Sequence, residues 1–211
     1  MTETCPFCAE FSNPELSIWN SKRGNLPVDR VLHNENGWKI FPPLGSFIEG
    51  GLLIVSEKHF RCCSALDKES ALNLDAIILK TNSILKETYK TNILFFEHGS
   101  SACQSKGACC VDHAHINVFP INFNIWDYLP EFDSKYAIQS AVRLSEYIND
   151  EYLWIFDSQF NYIFPVNGVP SQFIRTIITK TMNIPARWNW QDYPGLEEIQ
   201  KTISKLSGKW N

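Results

Sequence analysis

Two histidines and an asparagine stand at alternate positions of Asp112-His113-Ala114-His115-Ile116-Asn117-Val118-Phe119-Pro120. Ala114, Ile116 and Val118 fill the positions between and after them. A strand sends alternate side chains to opposite faces, so this spacing predicts a strand with one apolar face and one face bearing two imidazoles and an amide. Imidazoles side by side on a rigid strand suit metal ligation, nucleophilic catalysis, or one of each. The plainer reading is a surface strand with two incidental histidines. A second chemical signal is Cys5-Pro6-Phe7-Cys8. A redox pair usually follows a strand in a βαβ unit, but only four residues precede this one, so metal is the expected role. A structural zinc takes about four ligands, and the pair supplies two. Two free thiols on a loop are the alternative.

The elements that would hold these groups can be read around them. Val28 to His33 is a short strand candidate, Asn34-Glu35-Asn36-Gly37 a turn, and Trp38 to Phe41 a second strand. Leu52 to Val55 reads as a buried strand between Gly50-Gly51 and Ser56-Glu57-Lys58, with His59 just beyond. A histidine at a strand end is usually incidental, and His33 is given no role. Leu66 to Tyr89 is the clearest helix, with Leu74, Ile77, Ile78, Thr81 and Leu85 on one stripe and Ile84 widening it. Asn92 to Phe96 reads as a strand ended by Glu97-His98-Gly99. Beyond Pro120, Ala137 to Ile148 has helical periodicity. Tyr152 to Phe156 and Asn161 to Phe164 read as a hairpin. Pro170 and Ser171 open an amphipathic helix that Pro185 stops, and Leu196 to Leu206 is a last short helix. Trp188, Trp190 and Tyr193 read as packing.

The 211 residues are 44% apolar and 20% charged, an ordinary globular balance that can bury a core. A net charge of −4 argues against general nucleic-acid binding and leaves any anion site local. No apolar run is long enough to span a bilayer. The start lacks a basic and then apolar run, and the seven cysteines are odd in number, so reduced thiols and a cytoplasmic setting are expected.

The histidine strand and its approaches resemble the histidine-triad (HIT) superfamily. Its His-x-His-x-His signature stands here as His113-Ala-His115-Ile-Asn117-Val-Phe-Pro120. Gly50 to His59, Cys5-Pro-Phe-Cys8 and Phe96-Glu97-His98-Gly99-Ser100 match further family segments in the same order. The resemblance covers roughly residues 4–121. It implies an α+β fold: an antiparallel sheet of about five strands with a long helix packed on it. The expected division is a HIT-like domain at 1–125 and a C-terminal α/β extension at 126–211 packed on it. It implies that His115 attacks the α-phosphate of a nucleotide conjugate or dinucleoside polyphosphate, giving a nucleotidyl hydrolase or transferase with a covalent intermediate. Backbone N–H groups of Ala108, Cys109 and Cys110 would bind the phosphate. A structural zinc would be held by Cys5, Cys8, His59 and His113. Many relatives are dimers, so a homodimer is compatible with it.

Two departures stand out. Asn117 takes the place of the third histidine, where one branch of the family has glutamine. An amide donates to a phosphate oxygen but carries no proton charge, which leans toward a transferase or phosphorylase. Glu97 stands near a position where an asparagine often lies. Together they keep open a nucleotide-binding or interaction module without turnover.

Overall fold

The segment His115–Ile121 is a strand in the interior of an antiparallel sheet, and the other elements are placed around it. The computed structural model describes residues 5–100, 111–147 and 151–210. In chain order these form α1 (Pro6–Ser12), α2 (Ile18–Lys22), β1 (His33–Glu35), β2 (Trp38–Phe41), β3 (Leu52–Ser56), α3 (Lys68–Tyr89), β4 (Asn92–Ser100) and β5 (His115–Ile121). Then come β6 (Tyr136–Ala137), β7 (Glu151–Phe156), β8 (Asn161–Val166), α4 (Phe173–Thr181) and α5 (Leu196–Leu206). The strand order is β1-β2-β3-β5-β4-β7-β8-β6, and every neighbouring pair runs antiparallel.

The pleat divides the core in two. Trp38, Ile40, Leu52, Ile54, Phe95, Ile116, Val118 and Trp154 face α3 and bury its stripe of Leu74, Ile77, Ile78 and Leu85. Asp67 caps α3, its Oδ1 accepting from the N–H of Ser70 at 2.8 Å. The opposite face is covered by two separate pieces. Phe7 of α1 packs on Phe41, Leu53 and Val55 at one end. Ile174 and Ile178 of α4 pack with Leu94, Phe96, Phe119, Leu153 and Ile155 at the other. His115 and Asn117 point to this second face, where the cover leaves a cavity. Among the described residues no helix is long and apolar enough to cross a membrane.

This is the expected α+β arrangement, with a long helix on an antiparallel sheet. The sheet is wider than the expected five strands, because β6, β7 and β8 join it through β4. Leu153 and Ile155 go to one core and Tyr152, Trp154 and Phe156 to the other, so β7 needs cover on both sides and pairs on both edges. The first strand begins at His33 rather than Val28. Asp29 Oδ1 accepts from the Val31 N–H at 2.8 Å and the Val28 carbonyl accepts from the Trp19 indole at 2.8 Å, so those backbone groups are engaged elsewhere. The turn is the two residues Asn36 and Gly37, at φ 51° and 82°, a combination that matches the twist of a tight hairpin. β4 runs on to Ser100 instead of ending at Phe96, since Glu97 to Ser100 all pair with β7. The 137–148 helix is replaced by β6 and a 3-10 segment at Ala141–Tyr147. Asp75 of α3 fixes its start, accepting from Ser140 Oγ at 2.5 Å and from Ala141 N–H at 2.9 Å.

Candidate active site and metal centre

His115 is buried at the first residue of β5, its backbone paired with Val55 of β3. Its Nδ1 lies 2.6 Å from the carbonyl oxygen of His113. A carbonyl only accepts, so Nδ1 carries a proton, and in the neutral imidazole the lone pair is on Nε2. Asn117 follows on the same face, flanked by Leu53 on β3 and Phe96 on β4. Both line a cavity of about 160 Å³. Its walls include Phe7, Trp19, Leu44, Leu53 and Trp190, and its polar lining includes Glu10, Arg30, Gln172 and Arg175. The Phe7 ring meets the His115 ring edge-on at 5.6 Å.

Several of these residues were not visible as site residues in the sequence. Arg30 and Glu10 form a bidentate pair at 3.0 and 2.9 Å, and the guanidinium also lies 4.3 Å from the Trp19 ring centre. Burial lowers the pKa of Arg30, and the Glu10 carboxylate opposes that shift. Arg175 is buried, donates from Nη2 to the Gly45 carbonyl at 2.5 Å and lies 4.8 Å from the Phe47 ring centre. Trp190, read as packing, lines the cavity as well. No spacing rule links positions 10, 30, 175 and 190, so only the folded chain brings them together. His98 was within reach. Extending the β4 alternation two residues beyond Phe96 puts His98 on the same face, and it lines a smaller cavity of about 50 Å³ with His115, Asn117 and Arg175.

Glu97 faces the other way. Its Oε1 accepts from the Cys63 N–H at 2.8 Å and its Oε2 from the Tyr152 hydroxyl at 2.6 Å, in the core under α3. Gly99, next on that face, has no side chain because a Cβ would overlap the Tyr152 ring. An acid at position 97 therefore says nothing about phosphate contacts on the cavity face. Burial raises the Glu97 pKa above the usual carboxylate range, against the opposing hydrogen bonds from Tyr152 and Cys63. A carboxyl raised in the folded state binds its proton more tightly there than in the unfolded chain. Its contribution to stability is then full below the ordinary carboxylate pKa and is lost as pH rises through the raised value. Glu97→Gln should flatten that slope, which can reach about 1.4 kcal/mol per pH unit. Urea unfolding at a series of pH values checks this, and an unchanged slope would assign the pH dependence elsewhere.

Beside the cavity, Cys5, Cys8, His59 and His113 bring four ligand atoms within 4.8 Å of one another. Pro6 starts α1, so Cys5 caps the helix and Cys8 lies on its first turn, three residues on. His59 follows β3 and His113 precedes β5, and their rings meet at 4.9 Å. Cys5 Sγ lies 3.3 Å from His113 Nδ1, and Cys8 Sγ lies 3.3 Å from His59 Nδ1 and 3.6 Å from His113 Nδ1. A tetrahedral metal with bonds of about 2.3 Å to sulfur and 2.0–2.1 Å to nitrogen sets its ligands about 3.6 Å apart, so the group could hold a metal ion. His113 Nε2 donates to the Ser56 carbonyl at 2.7 Å, which leaves Nδ1 with the lone pair a metal needs. Burial pushes His113 down to about 4, so the imidazole stays neutral at physiological pH. Burial, then the neighbouring Cys5 thiol, pushes Cys8 up to about 11. A bound cation would reverse that shift by stabilising the thiolate.

The structure thus places His115 and Asn117 on one cavity and collects the four metal-ligand candidates beside it. Ala108, Cys109 and Cys110 lie outside the described residues. No protein-family model matches the chain, and no curated protein matches it. Among solved structures, the yeast Ap4A phosphorylase Apa2 aligns with 94% of this chain and 78% of its own, at 13% identity and a TM-score of 0.48. A HIT family protein from Bacillus anthracis aligns over 64% of this chain and 84% of its own, at 17% identity and a TM-score of 0.44. A HIT family hydrolase from Clostridium thermocellum aligns over 62% of this chain and 98% of its own, at 16% identity and a TM-score of 0.40.

Proposed function

We propose that this chain is a nucleotidyl hydrolase or transferase of the histidine-triad kind, with His115 as nucleophile. One observation carries the reading: the His113 carbonyl holds the proton on Nδ1, so Nε2 is a lone-pair donor on a cavity wall. A neutral imidazole in that state attacks phosphorus without needing to lose a proton first. Nε2 would form a bond to the α-phosphorus as the bond to the leaving group breaks. An acceptor then displaces the nucleotidyl group and returns the electron pair to Nε2. Water as acceptor gives a nucleoside monophosphate. Phosphate or a sugar phosphate gives a new nucleotide.

The cavity suits such a substrate. Phe7, Trp19 and Trp190 offer aromatic surface for a base, and Arg175 offers positive charge toward the phosphate end. Asn117 would donate its amide to a phosphate oxygen or to the leaving group. Backbone N–H groups of Ala108, Cys109 and Cys110 are proposed as the remaining phosphate donors. Residues 1–125 would supply the nucleophile, and the 126–211 extension would complete the pocket with Gln172, Arg175 and Trp190. Zinc is the metal proposed for the Cys2His2 group, whose donors suit it and leave no ligand position open. It would be structural, steadying α1 and the start of β5.

Asn117 favours a second reading, a nucleotide-binding module without turnover, since an amide cannot exchange a proton. The two are separated by incubating the protein with a panel of adenylylated substrates, with and without phosphate. Turnover, and an adenylyl adduct on His115 by mass spectrometry, support the enzyme. Binding of AMP with neither turnover nor adduct supports the module. Asn117→His should retain or raise hydrolysis if the amide only donates. A collapse of activity in that variant would make the amide a specific requirement.

A further inference from the structure

The smaller cavity beside His115 carries a buried histidine that the chemistry above does not use. His98 on β4 lines the smaller cavity together with His115, Asn117 and Arg175. Its Nε2 lies 2.8 Å from Glu151 Oε1 on the neighbouring strand β7, and both side chains are 8% exposed. The second Glu151 oxygen accepts from the Gly168 N–H at 3.1 Å. An ionised carboxylate only accepts, so Nε2 carries a proton. Nδ1 is the remaining atom. It is buried and, among the described residues, has no hydrogen-bond partner. A buried polar atom left unpaired is costly, and its presence beside a cavity needs a reason.

We infer that His98, oriented by Glu151, is the acid–base residue of this site and supplies through Nδ1 the proton that Asn117 cannot. The inference rests on the nucleotidyl-transfer reading. As His115 Nε2 bonds to phosphorus, the bond from phosphorus to the leaving oxygen breaks. That oxygen takes the electron pair and receives the Nδ1 proton, leaving His98 neutral. In the second half, water attacks phosphorus and gives a proton to Nδ1 as the electron pair of the P–N bond returns to His115. His98 ends as it began. Among the described residues, the charged and titratable groups beside His98 are Glu151 from β7, bonded to it, and His115 from β5 and Arg175 from α4, which line the same small cavity. Both features, a nitrogen held by a carboxylate and an unpaired second nitrogen, match those of a positioned general acid–base.

The test compares two AMP esters, one with a p-nitrophenyl leaving group and one with a simple alkyl group. The first leaves without a proton and the second does not. His98→Gln keeps a donor toward Glu151 but has no transferable proton. It should slow the alkyl ester about a hundredfold or more, and the nitrophenyl ester less than about threefold. The alkaline limb of the wild-type pH–rate profile, where the acid is deprotonated, should vanish in the variant. Should His98→Gln fold poorly, Glu151→Gln, which leaves His98 in place but removes its charged partner, should show the same selective loss. Equal losses on both esters would make His98 a packing residue, and no loss on either would remove it from the reaction. If the unaltered protein turns over neither ester and forms no adduct on His115, the nucleotidyl-transfer reading has failed and this inference falls with it. If adduct forms and only the ester selectivity is missing, the inference alone has failed.

Discussion

His115→Ala is expected to lower kcat at least about a thousandfold on the true substrate, about 4 kcal/mol of barrier, and to abolish the adenylyl adduct. The size follows from the role. In the proposed reaction, losing Nε2 would remove the two-step path through a covalent intermediate and leave only direct attack by the acceptor in the same cavity. The substitution should leave binding of AMP largely intact, because Trp19, Trp190 and Arg175 line the cavity from other segments of the chain. His115 is 8% exposed, so a modest fall in stability is also expected, and it is separable by a melting curve. Measuring kcat and adduct by mass spectrometry in parallel checks the assignment. Wild-type rates in the alanine variant would refute it.

The second large effect is expected from the metal centre. Protein purified without added zinc should contain about one zinc per chain, and Cys5→Ser or Cys8→Ser should lower that content sharply. The thiolates are the strongest donors of the four, and a serine oxygen does not replace them. Loss of the proposed metal would also untie α1. Phe7 of α1 packs on Phe41, Leu53 and Val55 and meets the rings of His113 and His115 at 5.6 Å. Releasing that helix would open the cavity wall and leave the His113 Nδ1 without its partner. The expected fall in Tm is about 10 °C, in the range for losing a structural metal from a chain of this size. Elemental analysis and calorimetry on the same samples measure both. Metal-free protein that melts at the wild-type temperature would defeat the claim.

Part of this was legible in the chain alone. Alternation along β5 is local, so the side chains at 115 and 117 share a face, while His113, expected on the same strand, lies in the bend just before it. The stripe on α3 is local in the same way: Leu74, Ile77, Ile78, Thr81 and Leu85, read from its period, are all buried, Ala71 joins them, and Ile84 is partly buried at the edge. The α5 helix matches its expected bounds. Errors arose where a distant group intervenes. Asp75 of α3 captures the start of the 141–147 segment, and pairing with β7 prolongs β4 past a composition that reads as a strand end.

The amino-acid sequence by itself determined which residues have the chemistry: two imidazoles and an amide at a period of two, and a cysteine pair near the start. Tertiary structure decided what each can do. The proton on His115 Nδ1 is set by a carbonyl two residues away, and that on His113 Nε2 by the Ser56 carbonyl on the neighbouring strand. His59 joins the cysteines only because β3 and β5 are adjacent. Glu97 and His98 are neighbours in sequence, yet the pleat sends one into the core under α3 and the other to the cavity. Glu10, Arg30, Arg175 and Trp190 reach the larger cavity from four separate segments. Side-chain direction and proton position depend on partners that are close in space and far in sequence, and no local pattern encodes them.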